Sequence, residues 1–228
     1  MKRNLPIIII LLVLVVAVGA TWFMTRSATN RDTNANSSPT TPSSSTAALP
    51  PGAQPPHTQG PASAPARLEE FGDFECPPCG LLHPILVKMR QEFGDKLQLT
   101  FRQFPLVPTH QHALSAASAA EAAGLQGKFW EMHDMLYENQ KTWHDAFDVR
   151  PIFEDYAKRI GLDVERFKED INGSIVGQRI ALDGIRGHAL NVKGTPTVFL
   201  NGKEVPFESL PEEKLRVVIN NALANPTK

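Results

Sequence analysis

Apolar positions along the chain change their spacing several times, and each change marks a predicted element. Residues 5–24 form one uncharged, mostly apolar run. Residues 27–66 hold a single large aliphatic side chain, Leu49, among Ser, Thr, Pro, Asn, Ala and Gln. Beyond that the pattern becomes periodic. Residues 67–74 read as a short strand, with Leu68, Glu70, Gly72 and Phe74 on one face. Pro77–Phe93 reads as a helix ended by Gly94. Leu97, Leu99 and Phe101 alternate with polar residues and define a second strand over 97–104. Thr109 is positioned to cap an alanine-rich helix that stops near Gly124.

Helical spacing continues through Phe129, Trp130, Met132, His133 and Leu136, and again through Ile152, Phe153, Tyr156, Ala157 and Ile160 up to Gly161. Trp130, Met132, Met135 and Leu136 read as core rather than as a ligand cage. A short helix after Asp163 and a longer one ending near Leu190 complete this block. Thr197–Leu200 and Lys203–Val205 flank Asn201-Gly202, the dipeptide suited to a two-residue type I′ hairpin turn. Ser209 and Glu212 have capping-box spacing ahead of a last helix bearing Leu215, Val218, Ile219 and Ala222. Two strands joined by a helix should be parallel, and the hairpin adds antiparallel strands. The expected fold is therefore α/β, a mixed sheet flanked by helices with a helical block inserted over residues 109–190. No internal repeat is visible.

The two leading segments carry different expectations. In residues 1–26, Lys2 and Arg3 precede the apolar run, Trp22 and Phe23 lie at its far end, and Arg26 closes it. Twenty helical residues span about 30 Å, the thickness of a bilayer core. A membrane anchor is the favoured reading. A cleaved signal peptide is the other, with Val18-Gly19-Ala20 as a small-residue cleavage site. Either one puts the rest of the chain outside the cytoplasm. Residues 27–66 are expected to be a disordered tether with an end-to-end distance of roughly 35 Å. The folded domain is expected over 67–228.

Charge excludes one class of partner. The 228 residues carry 23 Lys and Arg against 24 Asp and Glu, with no long basic run, so nothing favours nucleic acid. The two cysteines, Cys76 and Cys79, are too few for a disulfide scaffold and sit in one local motif. Cys-x-x-Cys alone fits a redox pair or half of a zinc site. Its context favours redox chemistry, because it follows a strand and opens a helix. Cys76 then lies at a helix N-terminus, where free N–H groups and the dipole stabilise a thiolate. Pro77 and Pro78 supply no N–H, so the available donors begin at Cys79. Cys79 should be the more buried thiol. A closed zinc site needs four ligands. Here only His83, one turn beyond Cys79, offers a third, and a metallochaperone built on Cys76, Cys79 and His83 stands as the alternative function. His83 otherwise reads as an exposed helix residue, and His110 and His112 as a helix start rather than a metal pair.

These segments resemble the DsbA-like branch of the thioredoxin superfamily. The likeness rests on Glu70-Phe71 and Phe74 before the Cys-x-x-C motif, on Arg102, Phe104-Pro105-Leu106, His112-Ala113, Gly127-Lys128-Phe129-Trp130 and Gly194-Thr195-Pro196-Thr197. The resemblance implies a thioredoxin fold and thiol–disulfide exchange on exported proteins, with formation of disulfides the favoured direction and reduction or isomerisation also possible. It assigns Cys76 as the nucleophile, Cys79 as the resolving thiol and Pro196 as a cis-proline beside the disulfide. Thr195 becomes a backbone contact for substrate, and Pro84 a kink in the active-site helix. It also matches Glu70 to a buried acid below the pair. Strand alternation points the same way, since Glu70 shares its face with apolar residues, and burial would raise its pKa and suit it to exchange a proton with Cys79. A solvent-facing Glu70 is the opposing reading. No organic cofactor is implied beyond the Cys76–Cys79 disulfide. The implied partners are thiols or disulfides of exported proteins and a membrane redox partner that recycles the pair.

Overall fold

The computed structural model describes residues 48–225. The expectations for residues 1–26 and for the tether up to residue 47 lie outside the described residues. Among the described residues no helix is long and apolar enough to cross a membrane.

Five strands form one sheet in the order β1-β3-β2-β4-β5: β1 His57–Gln59, β2 Ala66–Gly72, β3 Leu97–Gln103, β4 Thr197–Leu200 and β5 Lys203–Val205. β2 and β3 are parallel, joined by α1 (Pro77–Phe93). The other pairings are antiparallel. The hairpin turns at Asn201 and Gly202, whose φ values of 50° and 78° are the positive pair that a type I′ turn requires. Between β3 and β4 the chain makes six helices: α2 Ala113–Leu125, α3 Phe129–Glu138, α4 Gln140–Trp143, α5 Arg150–Arg159, α6 Val164–Asp170 and α7 Ser174–Ala189. α8, Glu212–Ala224, closes the domain. This is the thioredoxin-type mixed sheet with an inserted helical block.

Three apolar clusters hold the layers together, the smallest formed by Phe71, Phe104, Val192 and Phe199. Leu82, Leu86 and Met89 of α1 pack with Leu68, Leu97, Leu99, Val198 and Leu200 of the sheet and with Leu215 and Ile219 of α8. Phe74, Cys76, Cys79 and Phe101 pack instead against the alanine face of α2 and the α3 stripe of Phe129, Met132 and Leu136. The active-site pair is thus walled by the insertion. Small side chains on α2 let that helix come close. Gly72 does the same for β2, since a Cβ there would meet the Phe101 ring at 2.5 Å and the Tyr137 hydroxyl at 2.9 Å.

Three sequence expectations change. The domain begins by residue 48 rather than 67, because residues 48–66 belong to it. Arg102 donates to the carbonyls of Ala53 and Pro51 (2.9 and 3.1 Å), Arg186 to that of Pro50 (2.8 Å), and Arg179 to those of Gln54 and Pro55 (3.1 and 3.0 Å). β1 then adds an edge strand to β3. Thr109 does not cap α2. It lies in a turn, and the helix starts one turn later, after His112. Ser209 does not cap α8 either. Its N–H closes a 3-10 turn onto Pro206, and the extended Pro211 restarts the chain so that Glu212 and Glu213 fall in the first helical turn.

A chain starting at Ala48 is expected to keep the thermal transition of the domain. One starting at Arg67 loses five backbone acceptors that arginines hold, at about 1.5–3 kcal/mol for a hydrogen bond to a charged group. With about 2–4 °C per kcal/mol for a domain of this size, its melting temperature should fall by roughly 10 °C or more. Scanning calorimetry of the two chains checks this.

Candidate active site

β2 ends at Gly72, and after a loop of four residues α1 begins with Pro77. The loop between is held by its own acids. Asp73, fully buried, accepts from Glu75 N through Oδ1 (2.8 Å) and from Leu106 N through Oδ2 (2.8 Å), and His110 Nδ1 lies 2.7 Å from the same Oδ2. Buried Glu75 accepts from the backbone N–H of His112. From the insertion, Gln140 Nε2 donates to the carbonyls of Phe74 (2.6 Å) and Cys76 (2.9 Å). Each bond satisfies a loop group that no ladder reaches.

This grip leaves Cys76 as the residue that caps α1, in extended conformation and with two prolines following. Its side chain is largely covered, with 4% of the residue exposed, while Cys79 has 0%. In the thiol form Cys76 Sγ donates to the Thr195 carbonyl at 3.2 Å. As a thiolate it accepts instead. The Cys76 thiol is pulled down to about 6, first by a hydrogen bond from Cys79, then by Thr195 and the Cys79 backbone N–H; burial and the charge of Asp73 oppose this. The backbone donor is the first N–H after the two prolines. Thr195 Oγ1 is buried without a hydrogen-bond partner among the described residues. The Thr195-Pro196 peptide is cis.

Beneath the pair the balance reverses. Glu70 lies on the central strand between Phe101 and Val198, with 1% of its surface exposed. Its Oε1 has no hydrogen-bond partner, and no Lys or Arg pairs with it among the described residues. Burial, and secondarily the charge of Cys76, pushes its carboxyl up to about 8. Burial also raises the Cys79 thiol well above its ordinary value, helped by its hydrogen bond to Cys76 and by Glu70. Tyr137, whose hydroxyl sits over Gly72, is a further buried polar group without a partner. The site therefore pairs one thiol that ionises near neutrality with a second thiol and a carboxyl that hold their protons.

Beside Cys76, on the side of Pro196, lies a groove of about 430 Å³ lined by Pro78, Leu81, Ile85, Phe207 and Leu210. Leu81 and Phe207 stand exposed there. Pro84 falls inside α1.

Of the histidines singled out, His83 is placed differently from expectation, while His110 and His112 lie at the start of α2. His83 is buried, not exposed, because α3 covers it. The metal-donor group that forms around it contains His133 and Asp134, and neither cysteine belongs to it. The trio Cys76, Cys79 and His83 is therefore not assembled as a ligand set among the described residues. His110 and His112 go to Asp73 and to the carbonyl of Ala146. Sequence reasoning missed Asp73, Glu75, Gln140 and Tyr137. The two acids flanking Phe74 in a loop before a helix were a usable signal. Gln140 had none.

The chain belongs to the thioredoxin family: residues 53–221 match the family model described as Thioredoxin. Its fold is DsbA-like. BdbD from Bacillus subtilis superposes with a TM-score of 0.66 at 24% identity, over 76% of this chain and 97% of that one. A thioredoxin-like oxidoreductase from Silicibacter pomeroyi gives 0.62 at 24% identity over 74% and 92%. The thiol-disulfide exchange protein alpha-DsbA2 from Wolbachia pipientis gives 0.58 at 19% over 71% and 87%. Among curated relatives, a Na(+)/H(+) antiporter NhaA 1 of Salinispora arenicola is 39% identical over 169 residues, which are 74% of this chain and 25% of that protein. Another, of Mycolicibacterium gilvum, is 40% identical over 151 residues, 64% of this chain and 23% of that protein. The chain spans about a quarter of the length of these relatives.

The Glu70 carboxyl has a measurable consequence for stability. With Cys76 and Cys79 oxidised, Glu70 is the group of the site that titrates. With the Cys76 charge gone, burial alone still keeps its folded pKa above that of the unfolded chain, so the folded state holds a proton that the unfolded chain releases at lower pH. Stability should fall as pH rises from the unfolded to the folded pKa, by at most about 1.4 kcal/mol per pH unit, and level off above the folded pKa. Glu70→Gln should abolish this slope and melt higher than the parent at pH 8, as urea denaturation from pH 5 to 9 will report.

Proposed function

We propose that this chain is a thiol–disulfide oxidoreductase acting on exported proteins, with Cys76 and Cys79 as its redox couple. The observation that carries the reading is the split between the two sulfurs: a thiol pulled to about 6 at the head of α1, backed by a thiol and a carboxyl both raised by burial.

In the oxidising direction a substrate thiolate attacks Cys76 Sγ. The Cys76–Cys79 bond breaks, and Cys79 leaves with the electron pair. Cys79 is the sulfur that burial drives to take a proton, and Glu70, still protonated at neutral pH, is the group placed to give it. A second substrate thiolate then attacks the substrate sulfur of the mixed disulfide. Cys76 leaves as the stabilised thiolate. Two electrons have passed from the substrate dithiol to the pair, and a membrane redox partner is proposed to take them on. Run in reverse, Glu70 as carboxylate removes the Cys79 proton so that Cys79 can resolve the mixed disulfide. A stabilised Cys76 thiolate favours the reduced couple and so supports the oxidising direction. Thr195 and Pro196 form the rim on which an extended substrate segment lies, and the apolar groove beyond Pro196 suits an apolar side chain next to the substrate cysteine.

The extracytoplasmic location rests on the apolar run of residues 5–24 and on the class of its structural neighbours. Ion transport, named for the much longer relatives, is not part of this reading, which rests on residues of the matched segment.

The test uses a peptide with two cysteines as substrate. The oxidised chain should convert it to the disulfide form, and Cys76→Ala should slow this at least 100-fold. Cys79→Ala, first activated as a mixed disulfide at Cys76, should exchange onto a peptide with a single cysteine and stall there, visible by intact mass. Undiminished turnover in Cys76→Ala would refute the assignment.

A further inference from the structure

On the far side of α1 from the apolar groove, the insertion closes over His83. α3 places His133 and Asp134 against it. We propose that His83, His133 and Asp134 form a binding site for one divalent first-row transition ion, zinc being the best fit, at the seam between the active-site helix and the inserted block.

Spacing is the first support. Donor atoms of the three residues lie within 4.8 Å of one another. Asp134 Oδ1 is 2.9 Å from His133 Nδ1 and 3.9 Å from His83 Nε2. Ligand atoms bound tetrahedrally at about 2.0–2.2 Å from zinc stand roughly 3.3–3.5 Å apart, a value between those two distances. An ion is therefore seated by small side-chain rotations, with no movement of either helix.

Polar accounting is the second. His83 is 7% exposed and makes no hydrogen bond to any described residue; its nearest carboxylate oxygen, at 3.9 Å, is too far for one. His133 is 4% exposed; its Nδ1 pairs with Asp134 Oδ1, and its Nε2 has no partner among the described residues. Buried polar groups are ordinarily satisfied. A cation held by His83 Nε2, one nitrogen of the His133 ring and the half-exposed Asp134 carboxylate would give these rings a partner beyond the His133 Nδ1–Asp134 contact. Burial lowers the pKa of both rings, so they are neutral at pH 7, the form that ligates.

Access is the third. A cavity of about 310 Å³ is lined by all three residues, with room for an ion and a water as fourth ligand. Arg90 also lines it, but its guanidinium is engaged by Gln59 Oε1 and the Leu97 carbonyl. Two imidazoles with one carboxylate select a borderline transition ion over calcium or magnesium, which take oxygen donors. The cysteines play no part. A bound ion would cross-link α1 to α3 one helical turn beyond Cys79, and so fasten the insertion to the active-site helix.

The experiment uses the untagged full chain with Cys76 and Cys79 held as the disulfide, which removes thiolate ligands. Zn²⁺ is titrated by calorimetry, and Co²⁺ serves as a spectroscopic probe. One Zn²⁺ per chain should bind and raise the melting temperature. Co²⁺ should give visible bands of a nitrogen and oxygen site without sulfur charge transfer. His83→Phe, which keeps the ring, and Asp134→Asn, at a half-exposed position, should each weaken Zn²⁺ at least tenfold. If His83→Phe fails to fold, Asp134→Asn decides. No binding by the disulfide form, or binding unchanged in the variants, overturns the proposal. So does binding confined to the dithiol form, which would place the ion on the cysteines.

Discussion

Glu70 is buried on the central strand with no cation to offset it, and the chemistry of the site depends on that burial. A carboxylate there would cost far more than a carboxylic acid, so the group keeps its proton at neutral pH. The same dry surroundings hold the proton on Cys79. Charge is then permitted at one place, the head of α1, where the Cys79 thiol and backbone N–H pull the Cys76 thiol down. Hydrogen bonds make one sulfur a good leaving group in spite of its burial, and burial makes the other a good proton acceptor, a gradient of acidity along a single helical turn.

The scaffold that maintains this gradient is mostly polar. Asp73 and Glu75 bind backbone N–H groups of the segment after β3, while Gln140 of the insertion binds two carbonyls of the active-site loop. The inserted block also supplies the apolar wall, with the alanines of α2 and the aromatic stripe of α3 packed on Phe74, Cys76 and Cys79. The helices between β3 and β4 are thus part of the site: without them Cys79 would face water, and the difference between the two thiols would shrink.

The elements with local signals were legible from the sequence. α1 runs from Pro77 to Phe93 because prolines favour a helix start and Gly94 takes the positive φ that ends it. The Asn201-Gly202 turn and the burial of Glu70 followed from turn chemistry and strand alternation. Residues 48–66 were not legible. They join the domain through backbone carbonyls held by Arg102, Arg179 and Arg186, a mode of attachment that leaves no hydrophobic pattern. His83 was misjudged for a related reason. Its helix has one face toward the sheet, but the cover on the other face comes from α3, about fifty residues on, and no helical periodicity in α1 records it. Tyr137 and Gln140 owe their roles to the same distant packing.

The two sulfurs of the motif differ in acidity, and thiolate absorbance near 240 nm reads both directly. The reduced full chain, titrated from pH 4 to 10 against its disulfide form, should gain one thiolate with a midpoint near 6 and show no second step below pH 9. Both thiols rising together between pH 8 and 9, as unperturbed cysteines do, would contradict it.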